Sequence, residues 1–218
     1  MHNINTLILD LDGPLLEGRK RHYQCYSDIL QEHDYTPIAL EPYWEMKRNR
    51  VNRRELLKQS GAEELYNTFL KAWLERIETQ KYLTLDEVQP GVTVLLAEWK
   101  KAGMRLLLST MRTHQANLHR QLKIFGLLPY FDTVVMVKHE GEETKGSAVM
   151  RVTPPVDSTH AMWVGDTEVD IAAARELGIP VCALSCGLRT EGYLVSLAPD
   201  RVEEDLQDFA RWFATLSP

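Results

Sequence analysis

The sequence predicts an α/β fold: a Rossmann-like parallel sheet with helices on both faces, plus an inserted all-helical domain. Short, unbroken apolar segments alternate with helical patterns over most of the chain. Apolar segments of this kind are typical of strands buried on both faces, and strands that alternate with helices form right-handed βαβ units. Between residues 17 and 86 the alternation stops and only helical patterns remain.

The first predicted strand covers residues 6–9 and ends at the sequence Asp10-Leu11-Asp12-Gly13-Pro14, where Gly and Pro interrupt regular structure. Later strands are predicted at residues 106–108, 133–137, 161–164 and 180–184. The helices between them carry apolar residues at helical spacing, and three end before a glycine: Gly103, Gly126 and Gly178.

The helical patterns of residues 17–86 predict a separate domain inserted after the first strand. One apolar stripe recurs at close to whole-turn intervals: Leu65, Phe69, Trp73 and Ile77. We interpret the aromatic residues of this helical segment as packing residues rather than as a cofactor site. The predicted domains are an α/β core of residues 1–16 and 87–218, and a helical cap of residues 17–86.

Composition excludes several classes of protein. The 218 residues carry a net charge of −6, which gives no reason to expect the basic surface of a nucleic-acid-binding protein. No apolar segment approaches membrane-spanning length, and acidic residues follow the N-terminus too closely for a secretory signal. We therefore expect a cytoplasmic protein without nucleic-acid or membrane partners.

The three cysteines, Cys25, Cys182 and Cys186, are too few to predict a disulfide framework. Cys182 and Cys186 are conceivable zinc ligands, but Cys182 lies in an apolar segment and no second Cys/His pair has zinc-site spacing. We expect reduced thiols.

Polar residues follow the predicted strands at the point where each strand ends. In open α/β sheets, ligands bind at the carboxyl ends of the strands. Five polar residues are placed there: Asp10, Asp12, Ser109, Thr110 and Asp166. Two more are expected nearby, Lys145 at a helix start and Asp170 four residues beyond Asp166. Carboxylates brought together repel unless a cation intervenes, and aspartate oxygens suit Mg²⁺. The pattern predicts a hard-cation site for a phosphoryl group.

Each motif alone has a simpler interpretation. Asp10-Leu11-Asp12-Gly13 is compatible with a turn, and Gly165-Asp166-Thr167 with a strand-to-helix connection that carries an N-cap. Ser109 and Thr110 are compatible with a helix cap, and a lone lysine such as Lys145 with a solvated surface position. Their joint occurrence, each at a strand end or helix start, favours the site.

In order, Asp10-Leu11-Asp12-Gly13, Ser109, Lys145, and Gly165-Asp166 with Asp170 resemble the four motifs of the haloacid dehalogenase-like superfamily. The helical insert lies where the C1-type cap lies in phosphoglycolate phosphatase-like and β-phosphoglucomutase-like members. Pro14 departs from the family pattern, which usually has Thr or Val there. Proline removes a backbone donor but touches neither carboxylate.

The resemblance implies a role for each matching residue. Asp10 is expected to be the nucleophile that becomes an aspartyl-phosphate, and Asp12 the general acid and base. Mg²⁺ is expected on Asp10, the backbone carbonyl of Asp12, and Asp166. Ser109 and the Thr110 amide are expected to hold phosphate oxygens, Lys145 to balance negative charge, and Asp170 to orient a metal-bound water.

The implied activity is hydrolysis of a small phosphorylated metabolite by a monomer or homodimer. An acidic residue at position 12 suits phosphoester cleavage, because a leaving alkoxide needs a proton. A sugar phosphomutase on the same scaffold is the alternative, and a non-catalytic phosphate-binding regulatory protein is a further one.

Residues outside the motifs are also candidates for substrate contact. Arg112, just beyond Ser109-Thr110, is the first. The basic stretch at residues 47–54 either binds an anionic part of the substrate or forms a solvated helix face. Arg19 and Lys20, near the expected hinge, are weaker candidates.

Overall fold

The unbroken apolar segments form a parallel sheet, and the predicted fold class is confirmed by the computed structural model, which describes residues 4–137 and 143–216. The chain divides into two compact units, one of Met1–Leu16 with Val88–Pro218 and one of Glu17–Glu87. The predicted core also includes residues 1–3, 138–142 and 217–218, which lie outside the described residues.

The α/β unit contains a six-stranded sheet of order β5-β4-β1-β6-β7-β8, and every ladder in it is parallel. The strands of the chain are β1 (Thr6–Leu9), β2 (Leu16–Glu17), β3 (Glu87–Val88), β4 (Arg105–Thr110), β5 (Thr133–Met136), β6 (Ala161–Gly165), β7 (Val181–Leu184) and β8 (Arg201–Glu203). The helices of this unit are α6 (Val92–Lys101), α7 (Gln115–Ile124), α8 (Lys145–Met150), α9 (Glu168–Leu177), α10 (Glu191–Ser196) and α11 (Leu206–Ala214).

Apolar side chains cover both faces of the sheet. Leu7 and Leu9 of β1 belong to one buried cluster, and Ile8 between them belongs to the other. All three are fully buried. Because successive side chains of a strand point to opposite faces, a central strand needs apolar residues at every position, which is the pattern from which β1 was predicted.

The position of β1 determines where the polar strand ends meet. It pairs with β4 on one side and β6 on the other, with Leu9 opposite both Leu108 and Val164. The chain reverses its direction of strand addition at β1, which defines the crevice where open α/β sheets bind ligands. The residues that follow β1, β4 and β6 therefore come together at the carboxyl edge of the sheet.

Strand β8 and helix α10 were not predicted from the sequence. Strand β8 is a three-residue edge strand whose residues are exposed or half-buried, so it lacks the unbroken apolar pattern of the inner strands. Helix α10 has six residues, of which Leu194 alone is buried, too few to produce a helical apolar stripe.

The second unit consists of helices: α1 (Arg19–Gln31), α2 (Leu40–Arg48), α3 (Arg53–Gln59), α4 (Tyr66–Arg76) and α5 (Gln80–Leu83). Its aromatic residues form its core. Tyr26 and Tyr43 stack with ring centroids 4.6 Å apart, and Phe69 and Trp73 stack at 5.6 Å. These contacts agree with their interpretation as packing residues. No helix among the described residues has the length and apolar character needed to span a membrane.

Candidate active site

Asp10 directly follows β1 and is held by that strand's neighbour, because its backbone N–H donates to the Val164 carbonyl at 2.9 Å. Its Oδ1 accepts a hydrogen bond from the Leu11 N–H at 2.8 Å and lies 2.7 Å from Lys145 Nζ. Burial raises the pKa of Asp10 to about 7; the Lys145 charge opposes this shift and the Asp170 charge adds to it. Its second oxygen, Oδ2, makes no hydrogen bond with a described residue.

Lys145 is the first residue of α8, and its side chain is 1% exposed. Nζ lies 2.7 Å from Asp10 Oδ1 and 2.8 Å from Asp170 Oδ1. Burial disfavours the charged form, but the charges of Asp10 and Asp170 outweigh it and raise the pKa of Lys145. The structure thus places Lys145 inside the site as a cation rather than at a solvated surface position.

The approach of α8 to α9 depends on a glycine beside this lysine. A Cβ atom on Gly146 would lie 2.4 Å from Oε2 of Glu176, a residue of α9. The same Oε2 accepts a hydrogen bond from Thr144 Oγ1 at 2.6 Å, just before α8 begins. Since α9 also carries Asp170, this close packing sets the distance between Lys145 and its second carboxylate.

Asp166 follows β6 and is fully buried. Its Oδ2 accepts a hydrogen bond from the Leu188 N–H at 2.5 Å, whereas Oδ1 is buried without a hydrogen-bond partner in the described part of the chain. Burial, and then the negative charges of Asp10 and Asp170, raise the pKa of Asp166 well above its ordinary value. A buried, unpartnered carboxylate oxygen beside two other carboxylates is suited to a cation.

Asp170 differs from Asp166 because both of its oxygens accept hydrogen bonds. Oδ1 accepts from Lys145 Nζ at 2.8 Å and from Trp163 Nε1 at 3.2 Å. Oδ2 accepts from Thr167 N at 3.1 Å and Thr167 Oγ1 at 2.7 Å, which also caps the start of α9. Asp170 therefore orients Lys145 and the helix start.

One oxygen from each of Asp10, Asp166 and Asp170 lies within 4.8 Å of the others. When all three are ionised, buried carboxylates at this spacing have more negative charge than one lysine balances. Since the oxygens of Asp170 are already occupied, Asp10 and Asp166 have the oxygens with free coordination capacity. This donor set, made only of oxygen atoms, fits Mg²⁺ better than zinc.

Ser109 and Thr110 end β4 beside Asp10. The Ser109 hydroxyl is buried, and Oγ has no hydrogen-bond partner among residues 4–137 and 143–216. Thr110 Oγ1 accepts a hydrogen bond from the Arg112 N–H at 3.3 Å. A buried hydroxyl without a partner is costly to maintain, and a phosphate oxygen would satisfy it.

Asp12 and Arg112 form a bidentate ion pair. Arg112 Nε donates to Asp12 Oδ2 and Nη2 donates to Oδ1, both at 2.7 Å. The side chain of Arg112 is 5% exposed and that of Asp12 is 21% exposed. Arg112, predicted as a substrate contact, therefore lies at the same sheet edge as the motif residues. In this structure its guanidinium binds the carboxylate of Asp12.

Pro14 lies in a turn whose hydrogen bonds are donated by other residues. Gly13 N donates to the Leu16 carbonyl at 2.9 Å, while Leu15 N and Leu16 N donate to the Leu11 carbonyl at 3.2 and 3.0 Å. Gly13 has a positive φ of 102°, and a Cβ atom there would lie 2.4 Å from Asp166 Cγ. The turn after Asp12 is thus compatible with proline and requires glycine at position 13.

Sequence reasoning missed the loop after β7. Leu188 of this loop supplies the N–H that binds Asp166, and Arg189 secures the loop. Arg189 Nε donates to Glu168 Oε2 at 2.7 Å, Nη2 donates to Glu168 Oε1 at 2.9 Å, and Nη1 donates to the Leu188 carbonyl at 2.9 Å. The one sequence signal that pointed to this loop was Gly187, which follows the end of β7 by three residues.

The remaining candidates have other contacts. In the helical unit, Lys47 Nζ lies 5.1 Å from the Trp73 ring centroid, and Arg54 lies 3.8 Å from that of Tyr66. Lys20 pairs with Glu87 at 2.5 Å. The one cluster of metal-ligand type found among the described residues is the aspartate cluster, which includes neither Cys182 nor Cys186.

The fold and the aspartate cluster define an α/β protein whose candidate ligand site lies at the carboxyl ends of its parallel strands. The sequence model of the haloacid dehalogenase-like hydrolases matches residues 7–184. The chain therefore belongs to the haloacid dehalogenase-like hydrolase family and is a hydrolase.

Individual relatives have low sequence identity to this chain. The chain is 25% identical over 202 residues to a phosphoglycolate phosphatase of Rhodobacter capsulatus, covering 86% of this chain and 85% of the relative. It is 23% identical to one from Synechococcus elongatus, covering 94% and 95%. A predicted phosphatase from Clostridium acetobutylicum has a similar fold, with a TM-score of 0.77, 18% identity, and coverage of 98% and 99%.

Proposed function

We propose that the protein is a Mg²⁺-dependent phosphatase that hydrolyses a small phosphorylated metabolite through an aspartyl-phosphate at Asp10. One observation carries the proposal. At one sheet edge, a carboxylate oxygen of Asp10 lies beside the buried cation Lys145. The same edge holds a buried oxygen of Asp166 and a buried hydroxyl of Ser109 that have no hydrogen-bond partner within the described part of the protein. This set offers a nucleophile, metal ligands and a phosphate-binding group.

Asp10, Asp166 and the backbone carbonyl of Asp12 would hold the Mg²⁺ ion. When bound, Mg²⁺ supplies positive charge that reduces repulsion between the carboxylate nucleophile and the phosphoryl oxygens. The buried Oδ1 of Asp166 fits this role because it accepts no hydrogen bond from any described residue. Asp170 remains an orienting group, since its oxygens are occupied by Lys145, Trp163 and Thr167.

In the first step, a carboxylate oxygen of Asp10 attacks phosphorus and the bond between phosphorus and the ester oxygen breaks. Protonated Asp12 gives its proton to the leaving oxygen, so that the alcohol departs neutral. Lys145 favours the ionised, nucleophilic form of Asp10 because it lies 2.7 Å from Oδ1.

In the second step, ionised Asp12 takes a proton from water, and the water oxygen attacks phosphorus. The bond between phosphorus and Asp10 breaks, inorganic phosphate leaves, and both carboxyl groups return to their starting states. Ser109 Oγ and the Thr110 amide would hold the phosphoryl oxygens through both steps.

The names of the relatives support phosphoglycolate as the first substrate to test. The proposal also covers a cytoplasmic location, checked by fractionation of the host, and a monomer or homodimer, checked by light scattering. A sugar phosphomutase would return the phosphoryl group to a sugar instead of releasing it. Product analysis with sugar phosphates separates these two outcomes.

The test is release of inorganic phosphate from a panel of phosphomonoesters with Mg²⁺ and with EDTA. Asp10→Asn removes the nucleophile, and we expect it to abolish turnover, as EDTA does. Asp34→Asn is the matched control, because Asp34 is exposed and has a positive φ of 64° that asparagine tolerates. Full activity of Asp10→Asn would overturn the proposal.

A further inference from the structure

We infer that the Arg112 guanidinium is the receptor for a carboxylate of the substrate, and that Asp12 occupies this receptor in the free protein. The inference rests on the proposed phosphatase activity and narrows it to one substrate class. That class is phosphomonoesters with a carboxylate on a carbon close to the ester oxygen.

The receptor is built for a planar anion. Arg112 presents Nε and Nη2 to the two oxygens of one carboxylate, each at 2.7 Å. Paired parallel hydrogen bonds of this kind match carboxylate geometry. The bound carboxylate belongs to Asp12, so the structure shows directly which type of group the guanidinium accommodates.

Asp12 has to be free to reach the leaving oxygen of the substrate if it is the general acid. In the ion pair, both of its oxygens face Arg112. Its side chain is the more accessible of the two, at 21% exposed against 5% for Arg112. A rotation of Asp12 away from a stationary Arg112 is therefore the movement that the burial favours.

A buried guanidinium that loses its carboxylate is destabilised unless another anion replaces it. The backbone of Arg112 is fixed near the phosphate-binding strand end, because its N–H donates to Thr110 Oγ1 at 3.3 Å. A replacing group therefore has to lie close to the phosphoryl group. A carboxylate attached near the ester oxygen meets that condition, and its arrival releases Asp12 for catalysis.

The experiment compares phosphoglycolate with 2-hydroxyethyl phosphate, which has a similar size but a neutral hydroxymethyl group in place of the carboxylate. We expect the wild-type kcat/KM to favour phosphoglycolate by roughly 10- to 100-fold, as expected for a charge-assisted bidentate contact. Arg112→Met should raise KM for phosphoglycolate far more than KM for the neutral ester, so that the ratio of the two kcat/KM values falls toward one. Arg112→Lys should restore part of the preference.

Two results would overturn the inference. The first is a wild-type enzyme that hydrolyses both esters equally well, which needs no variant. The second is an equal loss of both activities in Arg112→Met, which would make Arg112 a general phosphate ligand or a structural residue. Release of phosphate from either ester keeps the proposed function intact in both cases, whereas failure to hydrolyse any phosphomonoester with Mg²⁺ refutes function and inference together.

Discussion

Replacement of Gly187 by alanine tests whether the position of Asp166 matters for catalysis. A Cβ atom at position 187 would lie 2.0 Å from Asp166 Oδ2 and 2.5 Å from its Cγ. Ordinary contacts of a Cβ atom begin near 3.4 Å, so the carboxylate or the loop has to move by about 1.4 Å. Such a movement also breaks the hydrogen bond from Leu188 N to Asp166.

A misplacement of about 1 Å in a catalytic constellation costs roughly 100-fold in rate. We therefore expect kcat/KM of Gly187→Ala to fall by about this factor, and the Mg²⁺ concentration for half-maximal activity to rise. The assay is steady-state phosphate release over a Mg²⁺ titration. Gly192→Ala is the matched control, since a Cβ atom there meets no atom within 4 Å. A folded Gly187→Ala protein with kcat/KM within about threefold of wild type would show that the position of Asp166 does not limit catalysis.

Three further predictions concern stability, metal binding and thiol reactivity. Asp86→Ala should lower the free energy of unfolding by ~3–5 kcal/mol in urea denaturation, because it breaks a buried ion pair in which the carboxylate lies 2.7 Å from Arg21 Nε. Mg²⁺ at about 100 times its Kd should stabilise the wild type by ~2.7 kcal/mol in thermal unfolding, and Asp166→Asn should reduce this shift. Burial raises the pKa of Cys25 and of Cys182 to about 12, so at pH 8 iodoacetamide should alkylate half-buried Cys186 fastest.

Each of these predictions has an outcome that contradicts it. An Asp86→Ala protein as stable as wild type would show that the ion pair with Arg21 does not stabilise the helical unit. A thermal midpoint unaffected by Mg²⁺ would argue against a metal site. If iodoacetamide alkylated Cys25 and Cys182 in the native protein as fast as in guanidinium-unfolded protein, the burial of these two thiols would be contradicted.

The strands that position the site were predictable because burial on both faces requires a local apolar pattern. Strand β1 shows it most clearly, with Leu7, Ile8 and Leu9 fully buried. Strand β8 was not predictable, since an edge strand places little apolar area in the core. Residues 16–17 and 87–88, which form β2 and β3, are too short for any periodicity.

The same distinction applies to the candidate site. Asp10, Asp12 and Asp166 follow apolar strands, so their convergence follows from parallel topology. The pairing of Asp12 with Arg112 depends on two chain segments 100 residues apart and on side-chain rotamers. The hydrogen bond from Leu188 to Asp166 depends on the path of a loop. Neither contact leaves a periodic signal in the sequence.

Acid quenching during turnover of ³²P-labelled substrate, followed by peptide mapping, shows whether Asp10 carries the phosphoryl group. We expect a hydroxylamine-sensitive label on the peptide containing Asp10, and no label in Asp10→Asn. Label on a different residue, or turnover at full rate without any labelled protein, would contradict it.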